Sequence, residues 1–163
     1  GLMSLYLFNI VNLQVGEGIF QAAGVPHAYL RGQNIELMAC SDNVIRGGLT
    51  PKHVDIEQLL KIIDCSEIVP QIIAPAPKNQ VYTYPTSIAD FALSNMPYAK
   101  NTEISDRTLN GTILLVMMGE ISLEAAQQKL TLKQGQAAFI EADTDYLVHG
   151  MQEGYAVLAG LPI

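Results

Sequence analysis

Hydrophobic and polar positions along this chain follow the period of a β-strand far more often than that of a helix. Residues 5–13 (LYLFNIVNL) are rich in aromatic and β-branched types and predict a strand. A glycine turn over 14–18 leads to a second strand over 19–22, and Gly24-Val25-Pro26 opens a third at His27. One helix is predicted: Asp55 can cap it, Gln58 holds the capping-box position, and Ile56, Leu59, Leu60 and Ile63 form one apolar face. Residues 66–86 hold Pro70, Pro75, Pro77 and Pro85 in a charge-poor, apolar run, which predicts an extended connection packed against the rest. From residue 88 strands return: ADFALSNM, a polar stretch to Asn110-Gly111, then TILLVMMGE. The segment 123–130 (LEAAQQKL) has good helix propensity. Its neighbours alternate, however, and Gly119 and Gly135 bracket the pair, so a hairpin turning near 125–128 is expected.

An internal repeat sets the architecture. Leu13, Gly16 and Phe20 recur as Leu132, Gly135 and Phe139 at one constant offset, as when one strand–turn–strand unit is used twice. The same offset places Pro26 opposite Asp145 and His27 opposite Tyr146, so the second copy keeps the turn and a core phenylalanine and loses the histidine. Short strands separated by turns favour a sandwich or barrel. Strand, glycine turn, strand and a Pro-His pair resemble the way a cupin presents a metal-binding histidine. The expected fold is therefore mainly β: cupin-like double-stranded β-helix (jelly-roll) barrels in tandem, with one short helix. Residues 1–64 would be part of a metal-site unit plus the helix, 65–87 a proline-rich connection, and 88–163 a second, metal-free unit.

Composition narrows the function classes. Hydrophobic content of 49% argues against disorder. A net charge of −7 disfavours a nucleic-acid surface, which needs clustered Lys and Arg, although two or three local cations suffice for a small phosphate ester. The longest apolar run, 113–118, is too short to span a bilayer, and no signal-peptide pattern opens the chain, so neither membrane nor secretion is expected. Cys40 and Cys65 lie far apart without a CxxC spacing and read as free thiols of a reducing cytoplasm. Gly1 ahead of an already apolar run reads as a junction with the middle of a domain.

The densest candidate chemistry runs from Pro26 to Lys52, where His27, Glu36, Asp42, Arg46 and Lys52 interleave with apolar positions and glycines. Such a mix suits a concave site better than a bare core strand. An isolated histidine in a β-rich chain is more often a packed core residue, but placement after Gly-x-Pro on a turn puts a ligand role for His27 level with that reading. Arg46 could simply pair with Asp42 four residues earlier; its position before Gly47-Gly48 also lets backbone close around a small anion. Tyr29 shares the strand face of His27 and could wall a pocket. Glu36 could steady a ligand or touch a substrate, and Lys52 could meet a phosphate as a point charge. His53, just ahead of the helix, and His149, at a strand end, lack comparable support. No phosphate-cradling loop, Ser-His-Asp set or nucleotide fingerprint occurs.

The same block carries a family resemblance. His27-Ala28-Tyr29-Leu30, Gly32, Glu36, Met38-Ala39, Ser41-Asp42-Asn43, Arg46-Gly47-Gly48 and Thr50-Pro51-Lys52 resemble the C-terminal motif of the zinc-dependent type I mannose-6-phosphate isomerases. Gly47 stands where that motif carries alanine. The resemblance implies aldose–ketose isomerisation of mannose 6-phosphate and fructose 6-phosphate through an enediol. It implies His27 as a zinc ligand and Arg46 as a catalytic residue; beside them, the reading of the residues adds Asp42 as a catalytic candidate and Lys52, Tyr29 and Glu36 as substrate-binding candidates. The family's Gln-x-His pair and glutamate ligand have no counterpart ahead of His27, so the resemblance implies the C-terminal portion of an incomplete enzyme. Its expected partners are a phosphosugar and the N-terminal part that brings the remaining zinc ligands. The alternative is a non-catalytic cupin module binding a sugar or a protein; a metal-dependent epimerase or dioxygenase-like cupin would need further ligands. A reading frame with an upstream Gln-x-His favours the isomerase, and a start near Met3 favours the module.

Overall fold

A computed structural model describes residues 3–41, 43–48 and 50–162. The chain divides into two units, one made of Gly1–Gln14 and Ile19–Ile72, the other of Val15–Gly18 and Ile73–Ile163.

The first unit is sparse in regular structure. It holds a single-turn helix α1 (Ser4–Leu7) and the seven-residue helix α2 (Ile56–Ile62). Two dipeptide strands, β1 (Gly18–Ile19) and β2 (Ile72–Ile73), pair with each other. α2 forms as its sequence predicts: Asp55 Oδ1 accepts from Gln58 N at 2.9 Å, and Glu57 pairs with Lys61 one turn on at 2.8 Å. The strand expected over 5–13 is not there. Tyr6 N donates to Met3 O and Phe8 N to Ser4 O, closing one helical turn in a run that has no ladder partner among the described residues. The strand expected to begin at His27 is absent too: 27–41 is irregular, and its backbone bond is local, Ser41 N to Ala39 O. No described residue of this unit is buried.

Among its described residues the second unit is a two-layer antiparallel sandwich of nine strands: β3 (Tyr82–Thr83), β4 (Ala92–Tyr98), β5 (Glu103–Thr108), β6 (Thr112–Met118), β7 (Glu120–Ala125), β8 (Gln128–Lys133), β9 (Ala137–Ile140), β10 (Thr144–Gly150) and β11 (Gly154–Gly160). One sheet has the order β5-β10-β7-β8 and the other β3-β4-β11-β6-β9. Period-two alternation drives alternate side chains between the layers. Met96, Leu114, Val116, Ile121 and Val148 are fully buried there, each stabilising the fold by about 1.5–3 kcal/mol. This is the mainly-β, jelly-roll character that the alternation predicts.

Details of the second unit test the alternation argument. The hairpin β7–β8 replaces the tempting helix and turns at Ala126 and Gln127, with φ of 48° and 62°. Left-handed values at both central residues match the twist of the flanking strands, and two non-glycine residues bear that strain. The repeat is visible in the backbone, where Gly16 and Gly135 both adopt left-handed φ, 86° and 82°. β5 lies inside the stretch expected to be a polar connection. Its outward residues Glu103, Ser105 and Arg107 hide the signal of Ile104, which alone reaches the apolar core. Phe139, expected in the core, is 67% exposed: Ala138 and Ile140 point inward, and a period of two sends Phe139 the other way.

Candidate functional site

Within the first unit three of the expected site residues cluster. Pro26 fixes the backbone ahead of His27, and the imidazole Nδ1 lies 3.0 Å from the Val25 carbonyl oxygen. A carbonyl can only accept, so Nδ1 carries the proton and donates; in the neutral imidazole that tautomer puts the lone pair on Nε2, where a ligand could meet it. The Tyr29 ring stands edge-on to His27, with centroids 6.0 Å apart. Burial, then a hydrogen bond to Glu36 and the charge of Glu36, push the Tyr29 phenol above its ordinary pKa; Asn34 opposes the shift through a hydrogen bond of its own. Tyr29 therefore stays protonated and remains a donor at neutral pH. Asn34 was not singled out from sequence; an irregular segment gives no period from which to read its neighbour.

Arg46 and Lys52 make hydrogen bonds within their own loop. Arg46 Nη1 donates to the Val44 carbonyl at 3.4 Å, a long contact that holds the half-buried guanidinium weakly. Thr50 Oγ1 accepts from Lys52 N at 3.2 Å, and the lysine side chain is exposed. A Cβ added to Gly47 would sit 4.0 Å from Leu59 Cδ2, so α2 packs near this loop and leaves ordinary room for the alanine methyl of the motif. Asp42 lies outside the described residues. His53 is exposed.

The second unit holds surface pairs instead of a comparable cluster. Arg107 pairs with Asp145 at 2.9 Å, and His149 Nδ1 lies 3.7 Å from Glu103. Tyr146, at the place the repeat assigns opposite His27, is buried in the sandwich and donates a long 3.4 Å bond to Asp106. Burial first, then the Asp106 charge, push its phenol upward. Among the described residues no three His, Cys, Asp or Glu side chains are placed to hold a metal ion. Cys40 and Cys65 are free and exposed, and no described helix is long and apolar enough to cross a membrane.

Comparison with known proteins places these features. No protein-family model matches the chain. It is 40% identical over 146 residues to the mannose-6-phosphate isomerase of Salmonella typhimurium and 33% identical over 159 residues to that of Rattus norvegicus, covering 88% and 91% of this chain. The chain spans 37% of the length of each of these curated relatives. Among solved structures, it is similar to the Salmonella typhimurium mannose 6-phosphate isomerase bound to fructose 6-phosphate and zinc. The TM-score is 0.64 at 32% identity, over 77% of this chain and 32% of that one. By sequence and by fold, the chain belongs to the mannose-6-phosphate isomerase family and corresponds to the C-terminal part of its members.

Proposed function

We propose that this chain contributes the C-terminal share of a mannose-6-phosphate isomerase, interconverting mannose 6-phosphate and fructose 6-phosphate. The observation that carries this is a similarity spanning 88% of the chain to an isomerase of the same name, together with the complete block from His27 to Lys52. Moving a proton between C1 and C2 of an aldose generates an enediol whose charge develops on two oxygens. Arg46, held among the described residues by one long bond to Val44, would stabilise that charge more than the neutral sugar, which lowers the barrier. Tyr29, whose one proton is turned to Glu36, would accept from a sugar hydroxyl through its oxygen, with Glu36 bracing the ring. Lys52 would meet the phosphate and Asp42 would orient Arg46 or take part in proton transfer.

His27 fits zinc, because its Nε2 is left open by the Nδ1 bond. A single imidazole does not make a site, so the other ligands would come from polypeptide preceding this segment. Zinc, when bound, supplies a Lewis acid that polarises the substrate oxygens. The exposed free thiols and the acidic charge support a cytoplasmic enzyme acting on a small phosphosugar, with neither nucleic acid nor membrane as partner. The test is Arg46→Ala in a chimeric enzyme in which this chain replaces the matching part of the Salmonella typhimurium relative. The expected outcome is a fall in kcat of roughly 10²-fold or more with zinc content unchanged. Unchanged turnover would remove Arg46 from the mechanism.

A further inference from the structure

The turn that carries His27 is held from outside itself. Its own closure is slight: Val25 N donates to Ala22 O at 3.3 Å. The firmer bond comes from the C-terminal end of α2, where Asp64 N, one residue past the C-cap Ile63, donates to Gly24 O at 2.8 Å. Gly24 has a left-handed φ of +82°, and a Cβ added there would fall 2.7 Å from the Ile62 carbonyl oxygen. Glycine alone lets the turn come this close to the last residue of α2. The helix has footing of its own, in the Asp55 cap at one end and Leu59 beside Gly47 of the Arg46 loop. Val25 follows Gly24, and its carbonyl takes the Nδ1 proton of His27 at 3.0 Å. The group that orients the imidazole thus hangs one peptide unit from the bond to α2.

From these contacts we infer that α2 aims His27: Gly24 and the Asp64 amide are positioning residues that fix the Val25 carbonyl, and with it the tautomer and direction of the imidazole. A ring nitrogen turned to a fixed backbone carbonyl leaves the other nitrogen pointing one way, which raises affinity for a metal. Gly24 brings no side chain, and the Asp64 carboxylate is occupied with Ser66 N at 2.9 Å, so both act through backbone. The inference rests on the proposed function in taking His27 as a zinc ligand; the effect on the imidazole itself does not.

Two variants and two controls test it, in the free chain and in the Salmonella typhimurium chimera described above. Gly24→Ala introduces the collision with Ile62 O. Asp64→Pro removes the N–H without touching residue 24, and the extended Ile63, with φ −65° and ψ 128°, suits a residue ahead of proline. Each should weaken zinc binding by the chimera about 10–100-fold, read by competition with a chelator. The controls are Gly135→Ala, at the same φ of +82° with nothing within 4 Å of the added Cβ, and Asp64→Ala, which keeps the N–H; both should leave zinc affinity unchanged. In the free chain, nitrogen NMR of the neutral imidazole should show the Nδ1-protonated tautomer, retained in the controls and lost in Gly24→Ala and Asp64→Pro. Slow amide exchange over β11 confirms that each variant is folded, and should one of the two unfold, the other decides. An unmoved tautomer in Gly24→Ala and Asp64→Pro overturns the inference, and so does an equal loss of zinc affinity in the controls. A moved tautomer in a chimera whose zinc survives even His27→Ala counts against His27 as a ligand, hence against the proposed function, and leaves the positioning of the imidazole standing.

Discussion

Tyr98 and Tyr146 show how single side chains couple this fold to pH. The Tyr98 hydroxyl donates to the Met118 carbonyl at 2.7 Å, and burial pushes its pKa up to about 12; burial and the Asp106 charge push Tyr146 up as well. An unfolded tyrosine titrates near 10. The native state therefore holds these protons to higher pH than the unfolded state does. Their contribution to stability is complete below pH ~10 and is lost as the pH rises toward about 12 and beyond. The melting temperature of the chain should fall across that window. Two of the seven tyrosines should give tyrosinate absorbance only as the protein unfolds. Seven tyrosines titrating together near 10 in folded protein would contradict the burial argument. Tyr146→Phe removes only one long bond and should cost about 1 kcal/mol or less at neutral pH. The residues of the His27–Lys52 block could be picked out from sequence because their types and order carry the chemistry. The meeting of Glu36 with Tyr29 could not, because an irregular segment has no period that assigns neighbours.

Among the elements, hairpins and bulges are where substitutions should tell. Gly135 adopts a φ of +82° with nothing within 4 Å of an added Cβ, so Gly135→Val carries conformational strain without a clash and should cost about 1–2 kcal/mol. Gly154 has the opposite problem: an added Cβ would fall 1.9 Å from the Met118 carbonyl oxygen, beside the register shift between β6 and β11. Gly154→Ala should therefore destabilise the sandwich more than Gly135→Ala in urea melts, and the reverse order would count against this packing. Asp55→Ala removes the α2 cap and should loosen that helix by about 1 kcal/mol, read as faster amide exchange over Ile56–Ile62. Alternation revealed the β7–β8 hairpin even through a helix-prone segment, since pairing across the sheet overrides local propensity. It failed at 5–13, where an apolar run offers both periods and tertiary partners decide between them. It also failed at β5, whose outward face is charged.

At the scale of the molecule, the two units differ in what completes them. The second encloses a core of its own in Met96, Leu114, Val116, Ile121 and Val148. The first leaves Tyr29 63%, Leu30 67% and Met38 54% exposed around the very residues proposed to carry chemistry. Apolar side chains left bare beside a histidine with an open nitrogen fit one half of a site better than a whole one. The fold class was legible from sequence because strand periodicity is a local signal. Completion of the site was legible only through the resemblance, because among the described residues no group of His, Cys, Asp or Glu gathers to hold a metal ion. Zinc stoichiometry measures that claim most directly, in the purified 163-residue chain and in the chimera that supplies the preceding polypeptide. The account predicts weak or no zinc on the chain alone, and tightly held zinc with isomerase activity in the chimera, both lost in His27→Ala. Stoichiometric, tightly held zinc on the isolated chain, or a chimera whose zinc survives His27→Ala, would contradict it.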